Sequence, residues 1–167
     1  MLRCVGMRRG ASATDGDPEG IMKTRQRIEY RLVREAAPVE YDRQMTTPED
    51  VCRLCADVQD AEREKLLVLL LDNCHRVIAF DVASVGGQGS ALLDVGCVMR
   101  GVVLTGASAI IMVHNHPSGQ CEPSEADHQA TRKIKAACGI FDVRLLDHII
   151  IGEGRYWSSK EAGLLEA

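Results

Sequence analysis

The stretch Leu66-Leu67-Val68-Leu69-Leu70-Leu71 constrains this chain more than any other. A strand sends its side chains alternately to two faces, so an apolar run without alternation must be covered on both sides. The run is too short to cross a bilayer. It therefore reads as a strand inside a sheet, with a packing layer above and another below. Ala109-Ile110-Ile111-Met112-Val113, bounded by turn residues, and Val143 to Ile151 read the same way. Helical patterns lie between these runs. Strands and helices in alternation around a mostly buried sheet make an α/β fold, a three-layer mixed sheet with flanking helices.

The remaining elements follow from caps and turns. Thr47-Pro48-Glu49-Asp50 opens a helix, with Thr47 as N-cap, Pro48 first in the helix and Asp50 closing a capping box. Val51, Leu54, Cys55 and Val58 give it one apolar face. Asp72-Asn73 turns the chain into a second strand, Val77 to Val85, which ends at Gly86-Gly87. A helix is expected from Asp94 to about Thr105, closed by Gly106, and another from Glu125 to Cys138, with Gly139 at its C′ position. Gly152-Glu153-Gly154 turns into a last strand at Arg155 to Trp157. Residues 1–26 lack periodicity and read as a disordered tail, and 27–45 as an edge strand (Ile28 to Val33) and linker broken at Pro38. The folded domain is expected over 46–167.

Charge and cysteine usage narrow the setting. A net charge of −4 argues against a broad nucleic-acid footprint, which is normally basic. Seven cysteines, an odd number in no regular framework, favour reduced thiols in a cytoplasm. No apolar h-region follows the arginines of Met1 to Gly10, which argues against a secretory signal, and no stretch is long enough for a membrane span. Cys52-x-x-Cys55 lacks the second pair of a zinc pattern and reads as half-buried packing.

The chemistry is concentrated in one stretch. Directly after Val113 come His114-Asn115-His116-Pro117-Ser118-Gly119, and then Ser124-Glu125-Ala126-Asp127. By the period of a strand, His114 and His116 leave on the same face. Pro117, Ser118 and Gly119 force a turn, and the following helix returns Asp127 towards the two imidazoles. Two nitrogens and one carboxylate oxygen suit zinc and leave a fourth position open. Ser124 and Asp127 also spell a capping box, and the roles are compatible because a carboxylate has two oxygens. Cys121 reads as a loop residue, since the ligand set is complete without it. A hydrolytic site also needs a group to take a proton from water. Glu122 and Glu125 sit in or beside the solvent-facing turn. Glu62 and Glu64 stand where a polar segment enters the apolar strand, and a carboxylate at Glu64 is well placed to sit in a partly dry site. Periodicity does not choose between those two.

The histidine motif with an upstream glutamate resembles the JAMM (MPN-domain) metalloprotease signature. The wider string, continuing through Leu146-Asp147-His148-Ile149-Ile150-Ile151-Gly152, is similar to the RadC-like branch of that family, over about Thr46 to Leu165. The resemblance implies a JAB/MPN (cytidine-deaminase-like) architecture for 46–167. It implies Zn2+ held by His114, His116 and Asp127, Glu64 as general base and then acid, and Ser124 as hydroxyl donor to the developing oxyanion. Glu64 is selected because Glu64-x-x-x-Val68-x-x-Leu71-Asp72 matches the family spacing. The implied activity is hydrolysis of peptide or isopeptide bonds in a peptide or protein substrate, with no statement of oligomeric state.

The chain departs from the family in two places. Met1 to Thr46 is too short for the helix-hairpin-helix segment of full-length RadC-like proteins, and Val95-Gly96-Cys97 stands where a Pro-Arg-Glu segment is common. Two rival readings are a non-catalytic MPN scaffold, which usually loses its ligands, and a DNA-repair-associated accessory protein, which the acidic balance disfavours. A zinc deaminase would need His-x-Glu followed by Pro-Cys-x-x-Cys, which the chain lacks. Asp147-His148 is expected to support the site from behind, and His75 and His128 to lie at the surface.

Overall fold

The computed structural model describes residues 44–85 and 93–165. The tail, the edge strand at 28–33 and the Gly86-Gly87 strand end expected from the sequence lie outside the described residues. Strand β1 (Lys65–Leu71) is the apolar run, and it lies inside the sheet. It pairs antiparallel with β2 (Val77–Val85) on one side and β3 (Ala109–Asn115) on the other. β3 runs parallel to β4 (Arg144–Gly152), and β5 (Arg155–Ser158) returns antiparallel along β4. The five-stranded mixed sheet has the order β2-β1-β3-β4-β5.

The alternation of the strands sorts the core into two layers. Leu67, Leu69, Leu71, Ile111 and Val113 face short helices α1 (Pro48–Leu54) and α2 (Ala56–Gln59), meeting Val51, Cys55 and Val58. Val68, Leu70, Ile110 and Met112 face α3 (Val95–Thr105) and α4 (Glu125–Ile140), meeting Val98, Val102, Ile134 and Cys138. Val68, Leu70 and Leu71 are wholly buried, as a strand covered on both sides must be. Truncating one of them, as in Leu70→Ala, removes roughly 2–5 kcal/mol. Among the described residues no helix is long and apolar enough to cross a membrane.

Two boundaries differ from the sequence reading. The first helix does not run unbroken to Val58: Cys55, at φ −104° and ψ 25°, breaks it into α1 and α2, which lets both Val51 and Val58 reach the sheet. Gly139 is not the C′ residue of α4, which continues to Ile140. Asp142 takes the left-handed position instead (φ 54°), and the Val143 N–H donates to the Cys138 carbonyl at 3.0 Å. That bond closes a Schellman turn, and aspartate tolerates the left-handed region better than most side chains. The α3 boundary is as expected, with Asp94 capping its start and Gly106 (φ 67°) closing it.

Candidate metal centre

The site is built where β3 ends. His114 shares parity with Ile110 and Met112, so its ring lies on the α4 face of the sheet, buried. His116 follows just past the strand, its N–H donating to the Ile151 carbonyl at 3.2 Å in continuation of the β3–β4 ladder. The turn beyond it packs so closely on β4 that a Cβ at Gly152 would stand 2.5 Å from the Gly119 carbonyl oxygen. The Glu153 N–H donates to that same oxygen at 2.9 Å. The turn then delivers the chain to α4. Its N-cap Ser124 accepts from the Asp127 N–H, while Asp127 Oδ2 accepts from the Ser124 N–H at 2.7 Å and its hydroxyl at 2.6 Å. This capping box leaves Oδ1 directed at His114, while Oδ2 also faces His116.

Three donors converge. His114 Nε2 is 3.0 Å from His116 Nε2 and 3.2 Å from Asp127 Oδ1, and His116 Nε2 is 3.6 Å from Asp127 Oδ2. One ligand atom from each of the three residues lies within 4.8 Å of the others, and the 3.0 and 3.2 Å contacts of His114 are close to the roughly 3.3 Å edge of a tetrahedron built on zinc–ligand distances near 2.0 Å. His116 Nδ1 is 3.0 Å from the Gln120 carbonyl oxygen, which can only accept, so that nitrogen carries the proton and Nε2 presents a lone pair. Lone pairs facing each other at such distances repel unless a cation lies among them. His114, His116 and Asp127 form a group that can hold a metal ion.

Electrostatics agree with a cation-seeking site. Burial alone would raise the Asp127 carboxyl, yet its contacts with His114 and the hydrogen bonds donated by Ser124 hold it well below the usual carboxylate range. Behind His114 lies His148, whose Nε2 is 2.8 Å from His114 Nδ1. Burial, followed by the neighbouring His114, pushes His148 down to about 3, so it is neutral at physiological pH.

Residues 45–164 match the family model of the RadC-like JAB domain. The chain belongs to the RadC-like JAB domain family. The UPF0758 protein of Chloroflexus aggregans is 38% identical over 144 residues, covering 86% of this chain and 62% of the relative. Those of Haemophilus ducreyi and Aeromonas hydrophila are 43% and 44% identical, covering 47% and 50% of the relatives. The chain thus spans about half the length of most of the curated relatives it matches. The mixed five-stranded sheet with flanking helices is consistent with a JAB domain.

Within this RadC-like JAB domain the remaining candidates fall into distinct places. Asn115, on the α1 and α2 face, accepts the Lys65 N–H at 2.9 Å and donates to the Ala61 and Arg63 carbonyls, clamping the approach to β1. Glu62 lies exposed in the bend held by that clamp, and Glu64 is half-buried one residue before β1. Leu66 pairs with His114, so the register carried one step further along that face sets Glu64 opposite His116. Glu64 has no hydrogen bond or ion pair among the described residues. Glu122 and Glu125 lie 3.8 Å and 2.8 Å from Arg155 and Arg132 at the surface. Cys121 is buried in the turn and is not among the grouped donors.

The pair Asp147-His148 divides its labour. Asp147 holds the turn after β5, accepting from Ser158, Ser159 and the Lys160 N–H, whereas His148 alone reaches the site. His75 and His128 are half-buried rather than free at the surface: His75 meets Arg144 at 3.1 Å, and His128 stands edge-on to Trp157. The sequence reading missed Thr131. Its signal was position alone, four residues after Asp127 on the same helix face.

Proposed function

We propose that this domain is a zinc-dependent hydrolase of peptide or isopeptide bonds, with His114, His116 and Asp127 as the metal ligands. The convergence of three donors whose outer atoms are already committed to other partners carries this reading. When bound, zinc supplies Lewis acidity, which makes a water nucleophilic at neutral pH and polarises a carbonyl. Glu64 is proposed as the proton carrier. Its carboxylate, without a partner among the described residues, takes the proton of the attacking water as the oxygen adds to the carbonyl carbon. It then returns that proton to the amine nitrogen as the C–N bond breaks.

Ser124 is proposed as donor to the developing oxyanion. In the ground state its proton rests on Asp127 Oδ2, so this role requires the exposed hydroxyl to rotate away as negative charge grows on the substrate. An open polar depression of about 260 Å³ beside His116, between Gln59 and Asp60 on one side and Gly152 and Glu153 on the other, offers a way in for a substrate chain.

Metal content of the wild-type protein beside His116→Ala, followed by assays on peptide and isopeptide substrates, tests the reading. About one zinc per chain is expected in the wild type, with loss in the variant. Glu64→Gln is expected to keep the zinc and lose turnover. A wild type that binds no divalent metal sinks the hydrolase reading, and a fully active Glu64→Gln sinks the base assignment.

A further inference from the structure

A buried chain of hydrogen bonds runs away from the metal-facing edge of His114 into the fold. Its members lie on three elements: His114 on β3, His148 on β4 and Thr131 on α4. His114 Nδ1 meets His148 Nε2 at 2.8 Å, His148 Nδ1 meets Thr131 Oγ1 at 2.7 Å, and Thr131 Oγ1 meets the Asp127 carbonyl oxygen at 2.8 Å. Thr131, His148 and His114 are respectively 5%, 1% and 2% exposed, so water does not supply alternative partners.

The protons of this chain are assigned from its far end. A carbonyl oxygen cannot donate, so the contact between Thr131 Oγ1 and the Asp127 carbonyl consumes the hydroxyl's only proton. Thr131 Oγ1 must then accept at its contact with His148, which places the His148 proton on Nδ1. An imidazole that carries its proton on Nδ1 has a bare Nε2, so His148 accepts the Nδ1–H of His114 at 2.8 Å. With its proton fixed on Nδ1, His114 presents an Nε2 lone pair to Asp127 and His116. Run in the opposite direction, the chain would put an N–H where a metal must sit.

We propose that Thr131 and His148 are positioning residues that lock His114 in its metal-binding tautomer, with the Thr131 hydroxyl as the anchor of the lock. This rests on the reading of His114 as a ligand, and it adds residues that the histidine motif does not contain. The arrangement ties the lock to the ligand helix itself, because the carbonyl that orients Thr131 belongs to Asp127. Partners behind metal-bound histidines typically alter metal affinity by 10–100-fold.

The test pairs two readouts. In metal-free wild type, long-range nitrogen–proton NMR is expected to place the His148 proton on Nδ1. Thr131→Val, nearly isosteric but without an acceptor, is expected to shift the His148 proton to Nε2. It should also weaken zinc binding, measured against a competing chelator, by roughly 10–100-fold, while Thr131→Ser stays within a few-fold of wild type. A His148 proton on Nε2 in the wild type overturns the proposal. So does a Thr131→Val protein that binds zinc like the wild type with its His148 tautomer unchanged. If the wild type takes up no zinc, the proposed function fails on that result, and the His148 tautomer in wild type and Thr131→Val still decides the lock.

Discussion

Among the described residues the same capping motif occurs twice, and the two copies ended with different tasks. At α1, Thr47 and Asp50 cap each other, and at α4, Ser124 and Asp127 do the same. The aspartates are equally sheltered, with side chains 11% and 12% exposed, so burial does not separate them. Their second oxygens do. Asp50 Oδ2 gathers the contacts of Thr46 and Thr47, and its Oδ1 lies 3.7 Å from exposed Arg53 of the same helix. Asp127 gives Oδ2 to the cap and turns Oδ1 to His114, on a strand of the sheet. One local rule thus makes a helix start in one place and, on the present reading, a metal ligand in the other. That only the Asp127 carboxylate faces two histidines separates them.

The sharpest way to break this comparison is to neutralise each aspartate in turn. Asp127→Asn is expected to abolish stable zinc retention in elemental analysis of purified protein, whereas Asp50→Asn should retain the metal in full. Equal metal content in the two variants would mean that Asp127 is only a cap. Truncating the cap hydroxyls sharpens it further. Ser124→Ala and Thr47→Ala should each cost about 1 kcal/mol in urea unfolding. Only Ser124→Ala should also lower kcat, by roughly 10²–10³-fold, if its hydroxyl meets the oxyanion.

Gly152→Ala probes the support of one box alone. Its Cβ would strike the Gly119 carbonyl, so a loss of about 1–3 kcal/mol in thermal or urea unfolding is expected, with weaker zinc binding through the displaced His116 turn. Wild-type stability in this variant would mean that the turn gives way freely. The smallest effect concerns the thiols beside α1. Burial pushes Cys55 up to about 12 and Cys52 up to about 11, so both stay protonated at pH 8. Among the described thiols, exposed Cys74 should be alkylated first and Cys55 only on unfolding, as peptide mass mapping would show. Early labelling of Cys55 would argue against its packing under the sheet.

Much of the site was legible because its features are short-range. The period of a strand put His114 and His116 on one face, and the spacing of Ser124 and Asp127 marked a helix start that frees one carboxylate oxygen. The choice between Glu62 and Glu64 was different. Both have the parity of the site face, and only family spacing separated them. In the fold the Asn115 clamp leaves Glu62 exposed in a bend and Glu64 half-buried beside the strand. Asp142 was hidden too, since Gly139 is the better left-handed residue and yet remains inside α4.

Among the described residues, the sequence by itself determined which segments are strands, that the sheet is covered on both sides, and where α1, α3 and α4 begin. Those properties depend on alternation and on hydrogen bonds within a few residues of each other. Only the tertiary structure decided that Thr131 meets His148, which oxygen of Asp127 meets His114 and at what distance, and the register that sets Glu64 opposite His116. Each of these depends on strand register and on how α4 lies across the sheet. Register and helix placement are set by packing between segments distant in the chain, which no local pattern encodes.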